Sequence, residues 1–596
     1  MKSLKYLNKY FYKYRWRLFL GILFVGISNY FGVKGITLTG ESLDIVKEYL
    51  RNNPEQTEAG KSALMAALSW QFFLIIIWAI ISGIFLFLTR QTIIVLSRLI
   101  EYDMKNEVFA HYQHLDISFY KRNSTGDLMN RISEDVSKVR MYTGPAIMYF
   151  IGTFFSFCFT IYEMRAKDPT LAFYTLLPLP ILAVSIYFIS DRIFKKNTHV
   201  QEQLSDITTQ SQETFSGIRV LKAFGREENS LNDFEKKSTE YRDRTMKLVK
   251  TEALFQPFVA ALIGLSVIMT IYFGSLQYFN GIITIGSIAT FLLFINRLTW
   301  PIASLGWVTS LIQRAASSQT RINEFLETAS EIKNENTAES EISGKIEFRN
   351  VSFQYPDSGI QALDDVSFRI EPGTSLAIVG RTGSGKSTIA ALLCRLYDTN
   401  KGKILIDGIN IREHDLRTLR QSTGYVPQEV FLFSDTIAHN IAFSVNQNEI
   451  NSARIEEAAK DSAIYENILE FPEGFNTIVG ERGITLSGGQ KQRISIARAI
   501  IKDPKILIFD DCLSAVDTET EEKILNSLKK RMKNRTSLII SHRVSSVKNA
   551  DLIIVMENGK IIERGIHQEL LAAKGSYFRL YQMQLLEQQA DLQPKP

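Results

Sequence analysis

The chain has 596 residues, 45% hydrophobic and 22% charged, with a formal charge of +5. That length exceeds what one hydrophobic core serves, and the apolar content excludes a disordered chain, so two or more domains are expected. The three cysteines show neither metal-ligand nor paired spacing, which excludes a disulfide scaffold and suits a reducing environment around the second half of the chain.

Residues 1–17 carry six Lys or Arg and no acid, interleaved with Tyr10, Tyr12, Tyr14 and Trp16, the composition of a basic, aromatic membrane edge. Asn29, Tyr30 and Lys34 interrupt the apolar run that follows, so it reads as an uncleaved first span and not as a signal peptide. Apolar stretches at 18–39, 64–89, 144–163, 170–190, 253–278 and 284–312 are each long enough to cross about 30 Å of hydrocarbon as helix. Segments 91–143 and 191–252 carry seven and twelve Lys or Arg, whereas 40–63 carries three among five acids, 164–169 two and 279–283 none. Cations gather on the cytoplasmic flank, so the expectation is six spans in the cytoplasmic (inner) membrane with both termini inside. The two cation-rich segments read as helix continuing out of the membrane. They break at 119–127 and 213–225, where Asn, Ser, Thr and Gly supply turns. Each break reads either as a short helix across a hairpin tip, docking on another domain, or as a solvated turn.

Helix is expected to about Leu326, followed by an acidic linker at 327–344 with Glu327, Glu331, Glu335, Glu339 and Glu341. From Lys345 the texture changes to short strands, at 345–353, 362–370, 403–407, 506–510, 537–541 and 552–556, alternating with helical stretches. That alternation predicts an α/β nucleotide-binding core. Within it, an apolar strand from Ser375 runs into Gly380-Arg381-Thr382-Gly383-Ser384-Gly385-Lys386-Ser387-Thr388, which fits G-x-x-x-x-G-K-[ST]. The glycines let backbone N–H groups close on phosphate oxygens, Lys386 reaches the β- and γ-phosphates, Ser387 ligates Mg²⁺, and the following helix adds its positive N-terminal end. The apolar run Ile506–Phe509 ends in two acids, where Asp510 can hold Mg²⁺ through water and Asp511 can orient an attacking water. Leu486, Ser487, Gly488, Gly489 and Gln490 open a further helix. Alone, that run also reads as a plain helix cap.

Taken together, these motifs resemble the ATP-binding cassette transporters, specifically exporter halves that fuse a six-helix membrane domain ahead of one P-loop ATPase domain. The resemblance implies an α-helical membrane domain at 1–326, a linker at 327–344, an ABC nucleotide-binding domain at 345–583 and a tail at 584–596. It implies that Leu486–Gln490 is the signature, which caps ATP held by a second domain's cradle, so that one chain does not close a site. It further implies that Tyr355 stacks on adenine, Gln428 contacts Mg²⁺ and the lytic water, Asp517 lies in the dimer-contact loop, and His542 holds the γ-phosphate. The residue types suit those roles: an aromatic face stacks on a purine, an amide both donates and accepts, and an imidazole donates to a phosphate oxygen. The stretch 477–483 resembles the exporters' linking loop, and the two hairpin breaks then read as coupling helices.

The expected activity is a transport ATPase with ATP and Mg²⁺, exporting lipophilic or amphipathic molecules, drug or lipid, by alternating access. Two alternatives stand beside it: a homodimeric lipid A-type flippase, or the slow-site half of a heterodimer. The family usually has Glu after the strand-terminal Asp, and Asp511 is one methylene shorter, as in subunits that pair with a Glu-bearing partner. A soluble DNA-repair ATPase is excluded, because it needs long coiled coils between cradle and signature, so no nucleic-acid partner is expected. Arg297, in the sixth span near Trp300 and Pro301, reads either as lining the cavity or as snorkelling to the interface, whereas Lys34, near the outer end of the first span, reads as a snorkelling cation.

Overall fold

Among the described residues of the computed structural model, the apolar runs of the first half form six helices long and apolar enough to cross a bilayer. The residues described are 2–52, 58–334, 341–446, 451–480, 483, 486–513 and 518–591. The six are α1 (Arg15–Asn52), α2 (Glu58–His114), α4 (Thr125–Lys167), α5 (Pro169–Ser216), α7 (Glu227–Phe279) and α8 (Ile285–Glu327). Between them lie two short helices at the sequence breaks, α3 (Ile117–Arg122) and α6 (Ile218–Ala223). The longest, α2, has 57 residues, about 85 Å at 1.5 Å per residue, so these helices extend well beyond a hydrocarbon core of about 30 Å.

Two compact units result, Met1–Gln113 with Gly126–Thr328, and His114–Thr125 with Ala329–Pro596. In the first, Val33, Met164, Leu171, Phe291 and Phe294 form a buried cluster. The Lys34 ammonium pairs with Glu163 at 2.7 Å and does not snorkel alone. The Arg297 guanidinium donates to Asn29 on α1, to its backbone oxygen at 3.4 Å and its Oδ1 at 3.3 Å. It therefore points into the α1–α8 contact, where Gly32 leaves it room.

The second unit holds two sheets. Strands β1 (Ile346–Gln354), β2 (Gln361–Ile370), β4 (Lys401–Ile406) and β5 (Ile409–Asn410) form an antiparallel sheet in the order β2-β1-β4-β5. The other sheet runs β10-β9-β3-β8-β7-β6, from β3 (Ser375–Gly380), β6 (Thr423–Val426), β7 (Ile506–Asp510), β8 (Thr536–Ile540), β9 (Leu552–Glu557) and β10 (Lys560–Gly565). Its central strands are parallel. Every residue of β7 is buried, and the near-continuous Ile, Leu and Val of β3, β7 and β8 are what a sheet covered on both faces requires. The main core gathers Ile378, Ile389, Leu393, Ile508 and Leu538. A second core, with Val426, Leu432, Ile441, Ile494, Ala497 and Phe509, packs around α10 (Gly488–Ile500).

α3 belongs to the second unit, although it lies inside the 1–326 stretch. Its cap, Asp116, accepts from Phe119 N–H at 3.2 Å and from Glu331 N–H at 2.6 Å, and Arg122 pairs with Glu331 at 3.0 Å. Residues 329–334 of the acidic stretch are likewise pinned: the Asn334 side chain donates to Asp415 at 2.9 Å and accepts from Leu416 N–H at 3.0 Å. At the other end, α12 (Ser576–Asp591) runs straight through the boundary expected at 583.

Candidate nucleotide site

The parallel order β3-β8-β7-β6 brings four strand ends to one edge, with Ile378 and Asp510 both opposite Ile540 and Val426 opposite Phe509. At strand spacings of about 4.8 Å, the carboxyl edge collects the cradle after Gly380, His542 after β8, Asp510–Asp511 after β7 and Gln428 after β6. Gln428 is exposed there.

The cradle needs glycine for reasons of space. Gly385 stands at φ +96°, and a Cβ on it would lie 2.2 Å from the Ala362 carbonyl oxygen. Gly380 abuts the Met556 carbonyl oxygen just as closely. A Cβ on Gly383, at φ +81°, would meet nothing within 4 Å, so the loop is tight at both ends and open in its middle. The Ser384 hydroxyl is buried and has no hydrogen-bond partner among the described residues. An open turn of backbone N–H groups, an orphaned hydroxyl and a lysine together fit a polyphosphate. Lys386 opens α9 (Lys386–Leu393) and donates to the Gly380 and Arg381 carbonyls at 2.9 and 2.8 Å, curled over its own loop. Burial pushes its pKa down, while Asp511 and Asp510 pull it up.

The exposed Ser387 Oγ donates to Asp510 Oδ1 at 2.8 Å. Burial pushes the Asp510 carboxyl up, against that hydrogen bond. A hydroxyl beside a buried, under-neutralised carboxylate fits Mg²⁺, which takes few protein ligands and completes its shell with water and phosphate. Asp511 sits at φ +47°, its N–H bonded to the Ile540 carbonyl at 2.8 Å, and its Oδ1 faces the His542 N–H at 3.5 Å. Burial and the nearby Lys386 hold His542 below the usual imidazole range, so at neutral pH it is an uncharged donor and acceptor.

Tyr355 packs edge-on against Phe353 and Tyr397, and its hydroxyl shares a 3.0 Å hydrogen bond with Thr388. Lys121 of α3 sets its ammonium 4.6 Å from the ring centre. A ring carrying a cation on one side can still stack a purine on the other. Ser487 caps α10 in a capping box, accepting from Gln490 N–H at 3.2 Å while Gln490 Oε1 accepts from Ser487 N–H at 2.9 Å. Leu486 anchors this turn in the second core, and Ser487 and Gly488 are exposed with Gly489 beside them. The run is thus a helix cap whose opening turn is exposed. Asp517, and Glu481 and Arg482 of the linking stretch, lie outside the described residues.

Sequence reasoning missed three residues that support this edge. Glu521 of α11 (Thr518–Met532) accepts from Arg543 at 2.7 Å and from Ser546. Gln584 of α12 bonds the backbone beside His542. Lys121 was legible only as one cation among many.

Residues 17–302 match the ABC transporter transmembrane region and residues 363–514 the ABC transporter domain. The chain is 38% identical over 516 residues to an ATP-dependent lipid A-core flippase of Pseudomonas aeruginosa, covering 86% of this chain and 85% of that one. It is 35% identical over 492 residues to a Bacillus subtilis protein named "Probable multidrug resistance ABC transporter ATP-binding/permease protein YheI", covering 82% and 84%. A bacterial Atm1-family ABC exporter solved with ATP bound superimposes with a TM-score of 0.77 at 27% identity, over 96% of this chain and 98% of that one.

Proposed function

Since this chain belongs to the ABC transporter family, as a membrane domain fused ahead of one ATPase domain, we propose that it exports lipophilic or amphipathic molecules by alternating access. ATP hydrolysis in the second unit drives transport. The observation that carries the reading is an ATP site built to be completed by a second half. The cradle, Asp510, Asp511 and His542 share one sheet edge, whereas the signature cap packs on a different core and faces outward. A second half-transporter supplies the missing signature, and this chain's Ser487–Gln490 completes the partner's site.

In the closed site Lys386 and the N–H groups of 381–387 hold the phosphates, and Tyr355 stacks on adenine. Ser387 and Asp510, with Gln428, would hold Mg²⁺, which when bound places positive charge against the β- and γ-phosphates. Asp511 orients water and His542 donates to the γ-phosphate. Asp517 belongs to the dimer-contact loop. The protein sits in the cytoplasmic membrane with both termini and the ATPase domain inside, as the Lys and Arg distribution favours.

A second reading, the slow half of a heterodimer, is favoured by Asp511: its short carboxylate faces its own chain's His542 N–H. Two measurements test both readings. Purified protein in liposomes should move a fluorescent lipid or drug with ATP, and Lys386→Ala should stop both movement and turnover. Turnover that neither moves nor responds to any amphiphile would overturn the export reading. A second subunit on the gel decides the pairing.

A further inference from the structure

The segment that carries His542 leaves the sheet at Ser541 and makes no regular element before β9, so something else must fix its backbone. Two side chains grip it. Glu521 takes Arg543 and Ser546. Gln584 makes a two-point bridge: its Nε2 donates to the His542 carbonyl at 2.5 Å, and its Oε1 accepts from the Val544 N–H at 2.8 Å. The peptide N–H on the other side of His542 faces Asp511. The two peptide groups flanking this imidazole are thus held by the water-orienting residue on one side and by the last helix of the chain on the other.

Gln584 sits on a rigid base. Glu563 caps the start of α12 through the Ser576 and Tyr577 N–H groups, and the Tyr577 hydroxyl bonds His567 at 2.7 Å. Tyr577, fully buried, packs with Leu580 and Tyr581 against a core that includes Val379 of β3 and Val544 of the same loop. Tyr577, Leu580, Tyr581 and Gln584 follow the i, i+3, i+4, i+7 spacing of one helix face. An amide at the end of an apolar stripe, with both ends bonded to one loop, is placed to hold backbone.

We propose that Gln584 is a positioning residue for ATP hydrolysis, holding the His542 peptide so that the imidazole meets the γ-phosphate. The proposal rests on the reading of His542 given above. It makes the C-terminal helix a working part of the ATPase, with hydrolysis sensitive to anything that lifts α12 from the loop.

The test is a double-mutant cycle on the full-length transporter, measuring kcat and KM for ATP and the melting temperature. Gln584→Ala should lower kcat about tenfold with KM unchanged, since the contact acts on the reacting geometry and not on nucleotide capture. Gln584→Glu keeps the acceptor for Val544 but loses the donor to His542, and should fall between. In a His542→Ala background, Gln584→Ala should cost no further turnover, because its action passes through the missing imidazole. Equal fractional losses in both backgrounds, a rise in KM matching the fall in kcat, or unchanged kcat would each overturn the proposal. If His542→Ala itself leaves turnover intact, the role given to His542 fails and this one with it. Intact melting temperatures with a lowered kcat would separate positioning from misfolding.

Discussion

Asp510→Asn should stabilise the nucleotide-free protein while abolishing its response to Mg²⁺. Asp510 is 2% exposed, and its carboxylate accepts a 2.8 Å hydrogen bond from Ser387 with the Tyr425 hydroxyl also bearing on it. Burial is the largest influence on it and pushes its pKa up, outweighing Ser387 and Lys386. An amide of the same shape keeps the acceptor and puts no charge in the interior. An effective penalty of several kcal/mol for a buried ion, partly offset by the roughly 1 kcal/mol by which a charged hydrogen bond exceeds a neutral one, leaves about 1–2 kcal/mol in favour of Asn. That is a rise of about 2–8 °C in melting temperature for a domain of this size. The sign with pH follows from a folded-state pKa above the unfolded one. The fold favours the protonated carboxyl, so the advantage of Asn is absent below about pH 3.9 and opens as pH rises through the raised value. Melting curves at pH 5 and 7.5 without nucleotide, and with ADP in the presence and absence of Mg²⁺, measure both effects. An Asn variant that melts lower at pH 7.5 without metal, or that gains as much from Mg²⁺ as the wild type, would refute the reasoning.

Gly385→Ala should weaken binding of a fluorescent ATP analogue more than a hundredfold, since a Cβ 2.2 Å from the Ala362 carbonyl at φ +96° displaces the start of α9, and unchanged affinity would count against the cradle. ATP binding should take up protons at about pH 6 and none at pH 8, because the incoming phosphate opposes the burial and the Lys386 charge that depress His542; calorimetry in buffers of different ionisation enthalpy reads this, and His542→Ala should abolish it. Asp511→Glu should raise steady-state ATPase about tenfold or more in a homodimer, and change little beside a Glu-bearing partner, where Ser487→Ala is the severe variant. A membrane-impermeant reagent applied outside should label Glu58→Cys and not Glu331→Cys; the reverse pattern would overturn the orientation.

What could be read from the sequence was whatever depends on local pattern. The six apolar runs, the cradle and the buried strand ending at Asp510 each announce themselves through residue type at fixed spacing, and the structure carries the helices well past the apolar runs. α1 reaches Asn52 where hydropathy stopped at 39, because helix continues past the apolar stretch. Long-range partners were illegible. Lys34 looks like a snorkelling cation until Glu163, far along the chain, is placed beside it. Arg297 pairs with an asparagine that no charge pattern singles out. Gln584 fell into an apparent tail because polar residues follow it, and only the register of α12 shows it closing the stripe of Tyr577 and Tyr581.

The placement of α3 has a consequence for how the chain is made. Arg122 and its partner Glu331 are 209 residues apart, and the aromatic cage of Tyr355 and Tyr397 is later still. At about 5–20 residues per second of synthesis, α3 waits on the order of ten seconds or more, with four spans still to be inserted, before its docking surface exists. Through that interval Phe119, only 7% exposed in the finished fold, sits on a helix whose later partners are not yet made. Substitutions at Phe119, Asp116 or Arg122 should therefore register first in how much intact protein survives biogenesis, through proteolysis of a nascent hairpin, and a chain that escapes this stage should turn over ATP with near-normal affinity.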